Sequence, residues 1–224
     1  MSILSLMSSI KTLKVSKMET IQLNLGCGNQ VVTDWINVDY FIGARLSRIP
    51  GFSWLNKKLK LFELEWDEDI FIHNLTTKFP WEKETVDIIY SSHTLEHFDK
   101  EQGQLFLSEC HRVLKKNGII RIVVPDLKCF VEHYLKGEIL AEYFIENLYV
   151  LYEEPGDTLL KKKLAPWFRY PHKCMYDTSS LIRIMSNLGF TSYSRQPFES
   201  EIPNIKNIEL EERTKEAVII EARK

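Results

Sequence analysis

Only four cysteines occur in the 224 residues, Cys27, Cys110, Cys129 and Cys174, and no two are spaced as a Cys-x-x-Cys pair. That spacing excludes a cysteine zinc knuckle and a disulfide framework, and it fits a reducing, cytoplasmic compartment. No apolar run nears the ~18 residues needed to cross a bilayer, so no membrane span is expected. An excess of positive charge is also lacking. The 29 Lys and Arg stand against 31 Asp and Glu, for a net charge of −2. A nucleic-acid partner is therefore not expected. The local clusters Lys57, Lys58, Lys60 and Lys161, Lys162, Lys163 read as solvated faces. Residues 1–20 lack the basic-then-apolar order of a signal peptide and read as an N-terminal extension. Internal repeats are missing. No close His/Asp/Glu spacing marks a metal site, so none is expected.

What is present is ordinary soluble composition, 44% apolar and 27% charged, enough for one domain with a substantial core over 21–224. The most informative stretch is 21–39. An apolar run from Ile21 to Leu25 stops at Gly26 and Gly28, and a second, Ile36 to Val38, stops at Asp39. Glycines admit positive φ and close approach of a ligand to the backbone. A carboxylate at the tip of the next strand can accept two hydrogen bonds from ribose hydroxyls. The stretch points to a nucleoside-containing ligand. Its connection is short for parallel neighbours, which normally need about a dozen residues, and a stunted helix is expected there.

Further along, residues 41–68 read as an irregular excursion with a short helix near 54–61. Ile70 to His73 reads as a third strand and Val86 to Tyr90 as a fourth, running into Ser91-Ser92-His93. Asp99 and Gln102 form a capping signal for a helix that carries Phe106, Cys110, Val113 and Leu114 inward and ends at Asn117-Gly118. Ile119 to Val124 is the fifth strand. Residues 127–152 are helical in two pieces broken near Gly137, and 161–176 is a basic, aromatic loop. Asp177 caps a last helix that Gly189 terminates. Phe190 to Phe198 and Ala217 to Glu221 form a closing hairpin. Strand and helix alternate, so the fold class is α/β, a mainly parallel sheet with helices on both faces. Ligands of such sheets sit beyond the carboxyl ends of the strands. Gly26, Gly28, Asp39, Asn74, Ser91 to His93 and Asp126 all fall there.

The ordered motifs resemble a known family. Leu23-Asn24-Leu25-Gly26-Cys27-Gly28 resembles the first motif of class I S-adenosylmethionine-dependent methyltransferases. Ser92 to Phe98 and Glu109 to Gly118 resemble the segments that follow the fourth strand in the type 11 group. Ile122 to Leu127 and His172 to Asp177 are similar to a subgroup linked to surface-polysaccharide biosynthesis. The resemblance implies a Rossmann-like sheet of seven strands with the last antiparallel, and a helical insertion on the acceptor side at 127–176. It implies S-adenosylmethionine as cofactor, held by Asn24, Gly26, Cys27, Gly28, Asp39, Asn74, Leu75, Ser91 and Ser92. In that family Asn24 and Asn74 are usually acidic; asparagine keeps an acceptor oxygen without the charge.

Methyl transfer is an in-line displacement, for which positioning alone is worth ~7–11 kcal/mol. An oxygen acceptor must also lose a proton, and histidine is the usual base near neutral pH. His93 and His172 are the candidate bases, while Asp126 and Tyr176 are the candidate acceptor contacts. Glu96 and His97 read as buried packing and hydrogen-bonding residues. The expected reaction is O-methylation of a small acceptor, a sugar or glycan precursor. A non-catalytic cofactor-binding protein and a nicotinamide-dependent oxidoreductase are the alternatives. Against the latter, the third glycine of a dinucleotide fingerprint is replaced by Val31.

Overall fold

A computed structural model describes residues 20–49, 51, 54, 67, 69–151, 159 and 170–224. The strands are β1 (Gln22–Leu25), β2 (Ile36–Asp39), β3 (Phe71–Ile72), β4 (Val86–Ser92), β5 (Leu114–Pro125), β6 (Thr191–Ser194) and β7 (Ala217–Arg223). They form one sheet in the order β3-β2-β1-β4-β5-β7-β6. β7 runs antiparallel to β5 and β6, and the remaining pairings are parallel. The α-helices described are α1 (Ile42–Leu46), α2 (Lys100–Val113), α3 (Leu127–Leu135), α4 (Ala141–Asn147), α5 (Thr178–Asn187) and α6 (Glu211–Thr214). No helix among the described residues is long and apolar enough to cross a membrane. The Rossmann-like fold with an antiparallel last strand is thus as expected.

Period-two alternation along β5 divides the core. Ile120, Ile122 and Val124 face one layer with Phe106, Leu107 and Cys110 of α2 and Leu181 and Met185 of α5. Ile119 and Val123 face a smaller layer with Ile202, Ile205 and Ile208. That second face is roofed largely by loop and a 3-10 turn at Ile205–Asn207. Arg121 lies on the same side of β5, fully buried.

Several boundaries differ from expectation. The connection from β1 to β2 contains turns only, with no stunted helix. Side-chain amides do the bracing instead. Asn37 Oδ1 accepts from Val32 N and from Asn24 Nδ2, at 3.0 Å each. Asn37 Nδ2 donates to the carbonyls of Val32 and Trp35. α2 ends at Val113, because Leu114 is already extended and pairs with Val86. Lys115 then reaches Asp87 at 2.8 Å, and Asn117, at φ 64°, makes the turn. The third strand is shorter than predicted, and the fourth runs on to Ser92. The predicted helix near 54–61, apart from Trp54, and most of the 161–176 loop lie outside the described residues.

Candidate active site

Strand order reverses between β1 and β4, since β2 and β3 lie to one side and β5 to the other. The carboxyl ends of such neighbouring strands diverge and leave a crevice. A cavity of about 390 Å³ occupies it, lined by Gly26, Gly28, Asp39, Asn74, Leu75 and Thr94, among others. Gly26 has φ +75°, and a Cβ there would stand 2.0 Å from Thr94 Oγ1, so no other residue fits. Gly28 has φ +58° and no protein atom within 4 Å of a Cβ position, so its backbone is open to a ligand. The Asp39 carboxylate accepts from Gly28 N at 2.8 Å and from Phe41 N at 2.6 Å. Burial pushes its carboxyl up, and those N–H donors partly offset the shift. Its remaining lone pairs are available to a diol. Phe41 and Tyr170 pack 5.0 Å apart beside it and supply flat apolar walls.

The family model described as a methyltransferase domain matches residues 23–122, the segment that builds this glycine turn, Asp39 and the β4 end. That match, over a little under half of the chain, supports an S-adenosylmethionine-dependent methyltransferase. Among solved structures, a methyltransferase from Methanosarcina mazei matches with TM-score 0.51 at 13% identity, covering 93% of each chain. A didemethyltoxoflavin N1-methyltransferase from Burkholderia thailandensis, solved with S-adenosylhomocysteine, matches with TM-score 0.46 at 13% identity over 97% of this chain and 76% of that one. A methyltransferase from Thermotoga maritima matches with TM-score 0.44 at 17% identity over 97% of this chain and 88% of that one. A search of curated proteins found no match. The cofactor fits the residues present, since open glycine backbone, a strand-end carboxylate and flat apolar walls are what its methionine, ribose and adenine parts require. The turn after β1 holds no helix whose N-terminus would take a dinucleotide pyrophosphate.

Other residues expected at the cofactor site lie behind the cavity wall. Asn24 is buried, and its Nδ2 donates to Gln30 O and Asn37 Oδ1, so it braces the turn from within. Cys27 is buried too, and burial holds its thiol protonated far above neutral pH. Ser91 Oγ donates to Leu25 O at 2.9 Å and clamps β4 to β1. Ser92 is buried and also absent from the lining. Asn74 does reach the cavity, but its Oδ1 accepts from Thr76 N and Oγ1 in a local turn. Its amide N–H₂ is what it presents to a ligand.

Beyond β4 the chain enters a strained turn. His93 has φ 50°, which only an over-determined setting tolerates in a non-glycine residue. Its Nε2 donates to Arg213 O at 2.9 Å, and its Nδ1 lies 3.4 Å from Glu96 Oε1. Nε2 is thus engaged, and Nδ1 faces the carboxyl. His97, assigned to packing by its sequence position, instead lines the cavity with His93, Gln102, Lys173 and Arg213. His172 does not line the cavity. It packs against His97, ring centres 5.1 Å apart, with Nε2 4.0 Å from Glu96 Oε1. Burial lowers His93 and His97 below the ordinary histidine range and, with His97 nearby, pushes His172 down to about 4. Burial pushes Glu96 up to about 8.

Neither predicted acceptor contact reaches this cavity. Asp126 caps α3 by accepting from Lys128 N. Tyr176 is buried in the main core and lines a separate groove beside Gly103, Leu107 and Arg183. Sequence reasoning missed Tyr40, Phe41, Thr76, Thr94, Phe98, Gln102 and Arg213, whereas Tyr170 and Lys173 of the basic, aromatic loop were weighed as acceptor contacts and do line the cavity. Gln102 was visible only as a capping residue, and Arg213 carries no local signal.

Proposed function

We propose that the domain methylates a hydroxyl of a small acceptor, a sugar or glycan precursor. The observation that carries this reading is the mixed lining of the cavity. Beside the glycine backbone and Asp39, which follow β1 and β2, it is lined by His93 and His97, which follow β4, and by Gln102, Lys173 and Arg213. In this reading Gly26 and Gly28 pass beneath the methionine part of the cofactor, and Asp39 takes the ribose hydroxyls. Asn74 donates its amide to an adenine ring nitrogen, and Leu75 packs on the ring. Asn24, Cys27, Ser91 and Ser92 support that surface from behind. When bound, S-adenosylmethionine supplies the methyl group. Gln102, Lys173 and Arg213 hold the polar acceptor and orient its oxygen. The hydroxyl proton leaves toward His93, which lines the cavity and whose ring burial keeps neutral at pH 7 and so able to accept it.

Calorimetric titration with S-adenosylhomocysteine tests the cofactor side. Asp39→Ala should weaken binding about 10- to 100-fold, the worth of a charged hydrogen bond. Equal affinity in wild type and variant, or no binding at high micromolar ligand, removes the assignment. Incubation with methyl-labelled cofactor and nucleotide-sugar pools, read by mass shift, tests the acceptor; label appearing only on nitrogen or on protein rejects the hydroxyl.

A further inference from the structure

We infer that Glu96, His97 and His172 bind one divalent transition-metal ion of the zinc class, at the wall of the cavity. One donor atom from each lies within 4.8 Å of the other two. The fold assembles them from two distant segments. A 3-10 turn at Leu95–His97 presents Glu96 and His97 side by side. The chain at 172–174 docks on that turn, with Lys173 N and Cys174 N both donating to Glu96 O, at 2.7 and 3.1 Å. His172 is delivered by that docking.

A second observation points to a ligand. Glu96 is 0% exposed, and among the described residues neither of its carboxylate oxygens has a hydrogen-bond partner. His172 Nδ1 is likewise buried and unpartnered. Buried polar groups are normally hydrogen-bonded, and buried charges paired or metal-bound. Imidazole nitrogens stand near Glu96, of His93 at 3.4 Å and His172 at 4.0 Å. Their tautomers suit coordination. His97 Nδ1 lies 3.4 Å from Pro171 O, and a carbonyl only accepts, so the proton is on Nδ1 and the lone pair on Nε2. By the same reasoning His93, donating from Nε2 to Arg213 O, keeps its lone pair on Nδ1, the atom that faces Glu96. A ring nitrogen tied to a backbone carbonyl while the other is free is the arrangement of metal-ligating histidines. Imidazoles with one carboxylate suit zinc, which takes such N/O sets at four-coordinate sites and leaves a position open when catalytic.

A second His/Cys/Glu grouping, Cys129, His133 and Glu216, has a simpler explanation. There His133 already meets a carboxylate at each nitrogen, Glu138 at Nδ1 and Glu216 at Nε2. It is a surface ion pair and serves as a control. His97 lines the cavity, so an ion beside it would polarise an acceptor hydroxyl. That role rests on the methyl-transfer reading; binding of the ion does not.

The test uses the full chain, stripped with chelator and titrated with Zn²⁺ by calorimetry and with Co²⁺ by visible absorption. One ion per chain is expected, with a d–d spectrum of tetrahedral strength. Glu96→Gln and His172→Ala should each weaken binding by about a hundredfold or more, and His133→Ala should leave it unchanged. Circular dichroism checks that each variant is folded, and His97→Ala replaces either one that is not. No stoichiometric ion in the wild type overturns the inference. So does an ion retained by folded Glu96→Gln or His172→Ala, or one lost in His133→Ala. S-adenosylhomocysteine affinity, measured on the same chelated samples, separates the two readings, since either can fail while the other stands.

Discussion

Two buried acidic centres flank the same sheet and are built in opposite ways. On the face roofed by loop, Arg121 donates from all five N–H positions. Nε and Nη2 take Glu209 at 2.8 and 3.0 Å, Nη1 takes Glu221 and Glu199 O, and Nη2 also takes Gln196 O. The carboxylates are finished by backbone donors, Phe198 N on Glu209 and Glu201 N on Glu221. Near the cavity, Glu96 is just as buried and has no hydrogen-bond partner among the described residues. A fully satisfied network holds a fold together, whereas an unsatisfied one stores a demand that a ligand can meet.

Three substitutions would break or sharpen this contrast. Arg121→Met leaves two buried carboxylates without their cation, and urea unfolding should show a loss of about 3–5 kcal/mol. A loss below about 1 kcal/mol would mean that water reaches the site. Glu109 is intermediate. It takes Arg112 Nε and Nη2 at 2.7 Å each and Phe79 N at 2.6 Å. The Arg112 guanidinium holds its carboxyl below the usual carboxylate range. A lowered folded pKa contributes stability above the unfolded value, near 4.5, and that stability is lost as pH falls through the folded value. Glu109→Gln should therefore cost about 1–3 kcal/mol at pH 7 and flatten the stability profile below about pH 4.5. An unchanged acid limb would reject the coupling. Smallest is Glu96→Gln in metal-free protein, because burial already favours the neutral carboxyl near pH 7 and the amide is its near-isostere. Its unfolding midpoint should stay level within about 1 kcal/mol or rise. A drop of several kcal/mol would reveal a partner and erase the contrast.

The elements that were legible in the sequence are those with a local cause. Asp99 with Gln102 and Asp177 with Ser180 each form the reciprocal bonds of a capping box. The alternation of β5 and β7, and the glycine stop after β1, act over a few residues. The β1–β2 connection was misread for a definite reason. Its regularity comes from amide side chains at 24 and 37 rather than from backbone periodicity, so a pattern search finds nothing there. The end of α2 was misplaced because Leu114 continues the helical spacing of apolar residues, yet it is drawn into pairing with β4. Asp126 lies at a strand end as expected, but its oxygen is spent on capping α3, and strand-end position alone does not say so.

Sequence by itself determined the order of the strands, the capped helices α2 and α5, the glycine turn and the strand-end position of Asp39, because hydrophobic period, capping and turn chemistry are properties of neighbouring residues. Only the tertiary structure decided which polar groups meet. It seated Arg121 directly across from Glu221 in the antiparallel β5–β7 register, brought Arg213 to His93, and carried His172 to Glu96. Those encounters depend on how strands are ordered in the sheet and where the loops between them dock. The pairing energy of any one such contact is too small, and its separation along the chain too large, to leave a local mark.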